Sequence, residues 1–232
     1  MWMSTRQAEL WDCFKVSCGM TGEIVLENGI ITAYQKLSGE VPEGYRNHNE
    51  YEHKMVYQLL DETLLKHFNK SYHDFDVKKM PGGKPYFEDL PVHFNVSHCK
   101  KMVACALSAD FSLGIDVENV RNVKENILKK VFSDAEISAY EKCSNKNKYF
   151  FRAWTFKESQ AKLTGKGIAQ DLRLIDYEDA VKTLDTEKSL KNGCITGSTF
   201  VQWFVDEDII ISLSYEKPSM KQPSVFLRTT RQ

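Results

Sequence analysis

No surplus of either charge marks this chain. Its 232 residues carry 31 lysines and arginines against 32 aspartates and glutamates, a formal net charge of −1. Nucleic acid is therefore not expected as the main partner, because that binding rests on a basic surplus. No apolar run reaches the ~20 residues a membrane helix needs, so no membrane association is expected. The segment from Met1 to Phe14 has acidic residues and no apolar stretch, which does not read as a signal peptide. None of the cysteines (Cys13, Cys18, Cys99, Cys105, Cys143 and Cys194) forms a Cys-x-x-Cys pair, and no Cys/His cluster has zinc spacing. Cys99 and Cys105 lie in or beside an apolar run, where a free thiol behaves as a small hydrophobe, so a reducing, cytoplasmic location is expected. The Walker A and Rossmann glycine patterns, internal repeats and low-complexity segments are also missing.

What is present reads as alternating strands and helices. Glu23–Glu27 and Ile30–Tyr34 flank Asn28-Gly29, a hairpin signature. Gly39 to His48 reads as a loop. From Asn49 to Asn69 the pattern is helical, with Tyr51, Met55 and Leu59 in one stripe and Leu60, Leu64 and Phe68 beside it. Met80-Pro-Gly-Gly-Lys-Pro85 is loop-like. Phe94–Ser97, Met102–Leu107 and Gly114–Glu118 read as strands. Ile127, Leu128 and Val131 then give a helical face, and Ser133-Asp-Ala-Glu136 has capping-box spacing. Lys148 to Thr164 is a further helix, stopped by Gly165 and Gly167, and Thr199–Val205 and Ile209–Tyr215 are strands joined at Asp206-Glu207. Each half thus has a long helix and short strands. The expected fold is α+β, with two similar lobes, 1–108 and 109–232, meeting near residues 108–114 around a cleft.

Two segments carry the chemistry. In Gly114-Ile-Asp-Val-Glu118 the two-residue period puts Asp116 and Glu118 on one strand face, with Ile115 and Val117 on the other. In Trp154 through Lys162 the four-residue step aligns Trp154, Glu158 and Lys162 on one helix face. Three carboxylates and an ammonium that converge suit a hard divalent cation holding a phosphorylated substrate. Each piece also has a plainer reading. A Glu four residues before a Lys is the favoured helix-surface pair, worth ~0.2–0.5 kcal/mol. Tyr149, Phe150, Phe151, Trp154 and Phe156 read as core, Glu136 as a cap, and Gly82-Gly83-Lys84-Pro85 as a turn.

The order of the motifs adds what none has alone. Gly83-Lys84-Pro85, Phe94-Asn-Val-Ser97-His98, Gly114-Ile-Asp-Val-Glu118, Phe132-Ser-Asp-Ala-Glu136 and Trp154 through Gly167 resemble the 4′-phosphopantetheinyl transferases. The resemblance is to the long, pseudo-dimeric type that activates surfactin synthetase, and it covers residues 80–168. It implies transfer of the phosphopantetheine arm of coenzyme A to a serine of an acyl or peptidyl carrier protein, releasing adenosine 3′,5′-bisphosphate. It further implies Mg²⁺ held by Asp116, Glu118 and Glu158, and Lys162 facing the phosphates. Glu158 is the candidate base, directly or through a water, since a carboxylate bound to Mg²⁺ is a weakened base. Ser97 and His98 would contact phosphate oxygens, and Gly83, Lys84 and Pro85 would sit by the adenosine. A basic residue of the first lobe, Arg46 or Lys54, would bind the 3′-phosphate. Two lobes in one chain imply a monomer, and the acidic carrier implies a basic docking face to which Lys129, Lys130, Lys142, Lys146 and Lys148 are candidates. The rival readings are a binding module without turnover and a metal-dependent hydrolase of nucleotide pyrophosphates.

Overall fold

A computed structural model describes residues 21–166, 171–178, 190–195 and 198–216, the stretch 190–195 by its backbone. Met1–Phe14, Cys13, Cys18 and the expected helix stop at Gly167 lie outside the described residues. The elements in chain order are β1 (Thr21–Val25), β2 (Ile31–Lys36), α1 (His48–Phe68), β3 (Val77–Lys79), β4 (Pro85–Phe87), β5 (His93–Cys99), β6 (Met102–Ser108) and β7 (Ser112–Asn119). They continue with α2 (Glu125–Val131), α3 (Asp134–Lys142), α4 (Lys146–Thr164), β8 (Leu190–Ile195), β9 (Ser198–Asp206) and β10 (Ile209–Glu216). The architecture is mixed α and β, as expected.

Local chemistry explains the boundaries. The hairpin turns at Gly29 (φ 80°), with Leu26 N–H donating to Ile30 O at 2.8 Å. Asn47 caps α1 by accepting from Glu50 N–H, and Asn69 ends it in the left-handed region. Ser133 and Glu136 form the capping box of α3. Asn145 caps α4 by accepting from Lys148 N–H, so this helix begins before the expected Lys148. The short ribbon β3–β4 and strand β8 had no signal in the periodicity. Their sequences, Val-Lys-Lys and Leu-Lys-Asn-Gly-Cys-Ile, are too polar or too short to alternate.

The strands build two four-stranded antiparallel sheets, β1-β2-β6-β5 and β7-β10-β9-β8. Their facing sides share one core. Met102, Ala104 and Ala106 of β6 and Ile24 and Tyr34 of the first hairpin meet Ile115, Val117, Trp203, Ile211 and Leu213 of the second sheet. The opposite face of the first sheet, with Val103, Cys105 and Leu107, is covered by Val56, Leu59, Leu60 and Leu64 of α1. The opposite face of the second, with Phe200 and Ile210, is covered by Phe150, Phe151, Ala153 and Phe156 of α4. β6 is therefore buried on both sides, which is why its sequence is an unbroken apolar run. Each such Leu, Ile or Phe contributes about 1.5–3 kcal/mol by leaving water.

Both sheets repeat one topology. In each, a strand (β2 or β7) leads to a long helix (α1 or α4) and then a hairpin whose second strand (β6 or β10) pairs with the first. Where the sheets meet, β7 lies beside β5 and is held by side chains. Ile115 N–H donates to Asn95 Oδ1 at 2.8 Å, and Val117 N–H to Ser97 Oγ at 3.2 Å. Among the described residues, no helix is long and apolar enough to cross a membrane.

Candidate active site

The joint between β5 and β7 sets the site. Ile115 and Val117 point into the shared core, so Asp116 and Glu118 project to the other face, toward α4. α4 lies unusually close to β7 because residue 114 is glycine. A Cβ at Gly114 would overlap the Ser159 carbonyl oxygen and the Leu163 amide nitrogen. Polar contacts beneath the helix then fix its register: Ser159 Oγ and Ser214 Oγ are 2.6 Å apart, and Ser212 Oγ donates to Thr155 Oγ1 at 2.8 Å. On the helix, Trp154, Glu158 and Lys162 are half-buried between fully buried neighbours, as the four-residue step requires.

Asp116, 6% exposed, is the centre of the cluster. Its Oδ1 accepts from Lys162 Nζ at 2.7 Å and from Ser97 Oγ at 2.9 Å. Lys162 Nζ also donates to Ser97 Oγ at 2.9 Å. Ser97 thus gives its one proton to Asp116 and accepts from Val117 N–H and Lys162, which uses its full capacity. Lys162 turns to Asp116 across the joint instead of forming the surface pair with Glu158. Asp116 Oδ2 is buried and has no hydrogen-bond partner. A buried carboxylate oxygen without a partner is costly, so a ligand for it is missing from the protein atoms alone.

Glu118 and Glu158 feel the same centre. Burial, followed by the charge of Asp116, pushes the carboxyls of both above the ordinary glutamate value. Lys162 opposes this at Glu158, and Arg121 opposes it at Glu118, where Arg121 Nη1 donates to Oε2 at 2.6 Å. Carboxylate oxygens crowd within 4.8 Å of one another elsewhere, at the exposed trio Asp76, Glu88 and Asp89. In the Asp116 cluster, Lys162 and Arg121 each draw one oxygen away.

His98 leaves the same strand as Ser97 and meets α1. Its Nδ1 is 2.8 Å from Glu52 Oε2. His53, Tyr57, Ser97, His98, Asp116, Glu118 and Lys162 line one pocket of about 300 Å³. His53 also borders a second, open pocket of about 740 Å³, walled by Tyr45, Arg46, Asn49 and Lys54 at the start of α1. Arg46 is bound to Glu50 Oε2 at 2.8 Å and lies largely in solvent, apart from the carboxylate cluster. Glu158 and Trp154 border a third cavity, of about 690 Å³, with Arg121, Lys130, Phe150 and Phe151 in its wall.

Lys84 is engaged elsewhere. Its Nζ donates to Leu113 O at 2.7 Å and Leu163 O at 3.0 Å, tying the 80–85 loop to the start of β7 and the end of α4. Burial lowers its ammonium to about 8. Gly82 packs on Gly165, with no room for a side chain, while Gly83 (φ 88°) faces open space and Pro85 opens β4.

Two residues make contacts that their sequence pattern does not show. Glu136 caps α3 as expected, but it is also fully buried. It receives Lys157 Nζ at 2.6 Å and Tyr177 N–H at 2.9 Å. Lys157, next to Glu158, donates further to Val131 O at 2.9 Å and Leu172 O at 3.0 Å, so it pins the wall of the third cavity to α4. The Lys of the Trp-x-x-Lys-Glu motif was the available signal.

An acid–lysine cluster at the joint of two antiparallel sheets, on a mixed α and β frame, is the class of site this chain presents. Residues 112–214 match the family model described as the 4′-phosphopantetheinyl transferase superfamily. Over 118 residues the chain is 33% identical to 4′-phosphopantetheinyl transferase Sfp of Bacillus subtilis (strain 168), covering 49% of this chain and 52% of that protein. It is 35% identical over 112 residues to 4′-phosphopantetheinyl transferase gsp of Aneurinibacillus migulanus, covering 47% and 46%. It is 27% identical over 159 residues to the L-aminoadipate-semialdehyde dehydrogenase-phosphopantetheinyl transferase of Saccharomyces cerevisiae, covering 62% and 57%. The chain thus spans about half the length of the curated relatives it matches. The resemblance to the type represented by Sfp is borne out.

Proposed function

We propose that the chain is a 4′-phosphopantetheinyl transferase that moves the phosphopantetheine arm of coenzyme A to a serine of an acyl or peptidyl carrier protein. The carrying observation is the Asp116–Lys162 contact of 2.7 Å beside a buried Asp116 oxygen without a partner. A site built to receive a cation and a phosphate would leave this pattern. The donor set fits Mg²⁺: Asp116, Glu118 and Glu158 offer carboxylate oxygens, the ligands that hard cations take. When bound, Mg²⁺ supplies neutralisation of charge on the pyrophosphate.

The chain's own residues do the rest. Lys162 has Asp116 and Ser97 as partners in the ligand-free chain, and in the complex its ammonium faces the phosphate oxygens. Ser97 and His98 line the same pocket; His98 holds a phosphate oxygen, and Ser97 does so when its hydroxyl hydrogen turns from Asp116 to the ligand. Gly83 offers open backbone near the adenosine, with Lys84 and Pro85 fixing its loop. Arg46 and Lys54 flank the pocket that adjoins through His53, and serve the 3′-phosphate. Glu158 removes the carrier serine's proton, directly or through one water. The serine oxygen bonds to the phosphorus of the arm, the bond to the bridging oxygen breaks, and adenosine 3′,5′-bisphosphate leaves. Glu158 also borders the third cavity, whose Phe150, Phe151 and Trp154 suit the methyl and methylene carbons of the arm.

The repeated strand–helix–hairpin topology supports two lobes, 1–108 and 109–232, with the site in the cleft between them, and hence a monomer; the free thiols Cys99, Cys105 and Cys143 support the cytoplasm. The exposed Lys129, Lys130, Lys142 and Lys146, with Lys148, suit docking of an acidic carrier. The binding-module reading is not favoured, because every charged motif position is filled. The test is intact-mass spectrometry of apo carrier proteins incubated with the chain, coenzyme A and Mg²⁺. A gain of one phosphopantetheine (roughly 340 Da), abolished by chelator, is expected. Coenzyme A binding without any mass gain across a broad set of carriers would reject turnover.

A further inference from the structure

Glu52 has no counterpart in the motifs above, yet it is one of the most buried carboxylates in the structure. It sits on α1 at 6% exposure, with Oε2 2.8 Å from His98 Nδ1 and Oε1 4.0 Å from His48 Nδ1. An acid placed beside a pocket for phosphates needs a reason, because its charge opposes anion binding. The hydrogen bond supplies one. An ionised carboxylate accepts only, so the His98 nitrogen facing it must carry a hydrogen. His98 is then anchored by Nδ1, and Nε2 is the nitrogen free for a ligand in the pocket lined by His98, Ser97 and Lys162. To donate to an anion, Nε2 must also carry a hydrogen. A ring with both nitrogens donating is an imidazolium.

We propose that Glu52 is a positioning residue: it anchors His98 through Nδ1, so that Nε2–H meets an anionic group of the ligand. The groups facing His98 are His48, Glu52, His53 and Tyr57 from α1, Asp116 and Glu118 from β7, and Lys162 from α4. The β6 residue paired with His98 is Val103, which adds no charge.

The inference rests on coenzyme A being the ligand, and the experiment separates the two ideas. Coenzyme A affinity is measured by calorimetry for the wild type, Glu52→Gln, His98→Gln and the double variant. Long-range nitrogen–proton NMR of the imidazoles reads the tautomer in the free proteins. The wild type is expected to show the Nδ1 hydrogen at His98. Glu52→Gln is expected to give mixed tautomers and to weaken binding about tenfold, the low end for loss of an orienting partner. The double variant should bind no more weakly than His98→Gln alone. Coenzyme A bound by Glu52→Gln with wild-type affinity overturns the inference and leaves the transferase reading standing. No binding by the folded wild type overturns both.

Discussion

Lys162 Nζ and Asp116 Oδ1 meet at 2.7 Å, joining the last turn of α4 to the middle of β7. This contact orders the site before any ligand arrives. Lys162 is more than half-buried and Asp116 nearly fully so, which makes it a partly desolvated pair instead of a surface one. Removing the lysine strands a buried carboxylate. Lys162→Met should therefore lower stability by about 1–3 kcal/mol and abolish transfer, while Lys162→Arg should keep most of the stability and recover little activity. Urea unfolding and the carrier-mass assay, run together, check both parts. Full activity in Lys162→Met would remove the lysine from the chemistry.

Glu158 makes a pH prediction. Burial and the charge of Asp116 raise its carboxyl above the value in the unfolded chain. Between those two values the folded state holds more protons than the unfolded state, so stability falls as pH rises through that window. Glu158→Gln has no such loss. Without divalent cation, the wild type should thus lose ground to Glu158→Gln as pH rises from 4 toward neutrality, roughly through the carboxylate range. Mg²⁺ needs the deprotonated form, so its stabilising shift in Tm should grow over the same window. Thermal melts of both proteins across pH, with and without Mg²⁺, give the answer; a constant difference would contradict the placement of Glu158.

Much of this was legible in the sequence, for definite reasons. The two-residue and four-residue periods placed Asp116, Glu118, Glu158 and Lys162 on the right faces, because those faces follow from backbone geometry alone. The strands of β6 and β10 were legible because burial on both sides leaves long apolar runs. What periodicity does not carry is contact between distant segments. Nothing local says that Lys162 pairs with Asp116, that Lys84 is spent on two carbonyls, or that Lys157 and Glu136 form a buried pair. Those partners lie from 21 to 79 residues apart and depend on how the sheets meet.

Gly114 is predicted to govern the distance between the strand and helix halves of the site. A methyl group there would overlap backbone atoms of Ser159 and Leu163, which have no rotamer to move aside. Gly114→Ala should cost about 1–3 kcal/mol or more and depress transfer beyond what its loss of folded protein explains, since α4 must shift away from Asp116. Activity per folded molecule, with the folded fraction taken from circular dichroism, is the quantity to compare. A variant with normal activity per folded molecule would show that this close approach serves packing alone.

Lys84 offers the last test, and its sign is opposite to that of Glu158. Burial lowers its ammonium to about 8, below the ~10.4 of an exposed lysine in the unfolded chain. Between these values the unfolded state holds the extra proton, so the lysine's contribution to stability rises with pH across that interval. The neutral amine still has hydrogens for the Leu113 and Leu163 carbonyls. Lys84→Met removes both bonds and leaves those carbonyls to the loop, a loss of about 1–3 kcal/mol at neutral pH. The gap between wild type and Lys84→Met, measured by urea unfolding, should then widen from pH 7 to 10. A gap that stays flat would mean that the ammonium is solvated and that the 80–85 loop is not clasped to β7 and α4. Coenzyme A binding measured on the same variant separates the clasp from ligand contact: a clasp whose removal only loosens the loop weakens binding modestly, whereas loss of a direct phosphate contact weakens it by tenfold or more, about 1.4 kcal/mol.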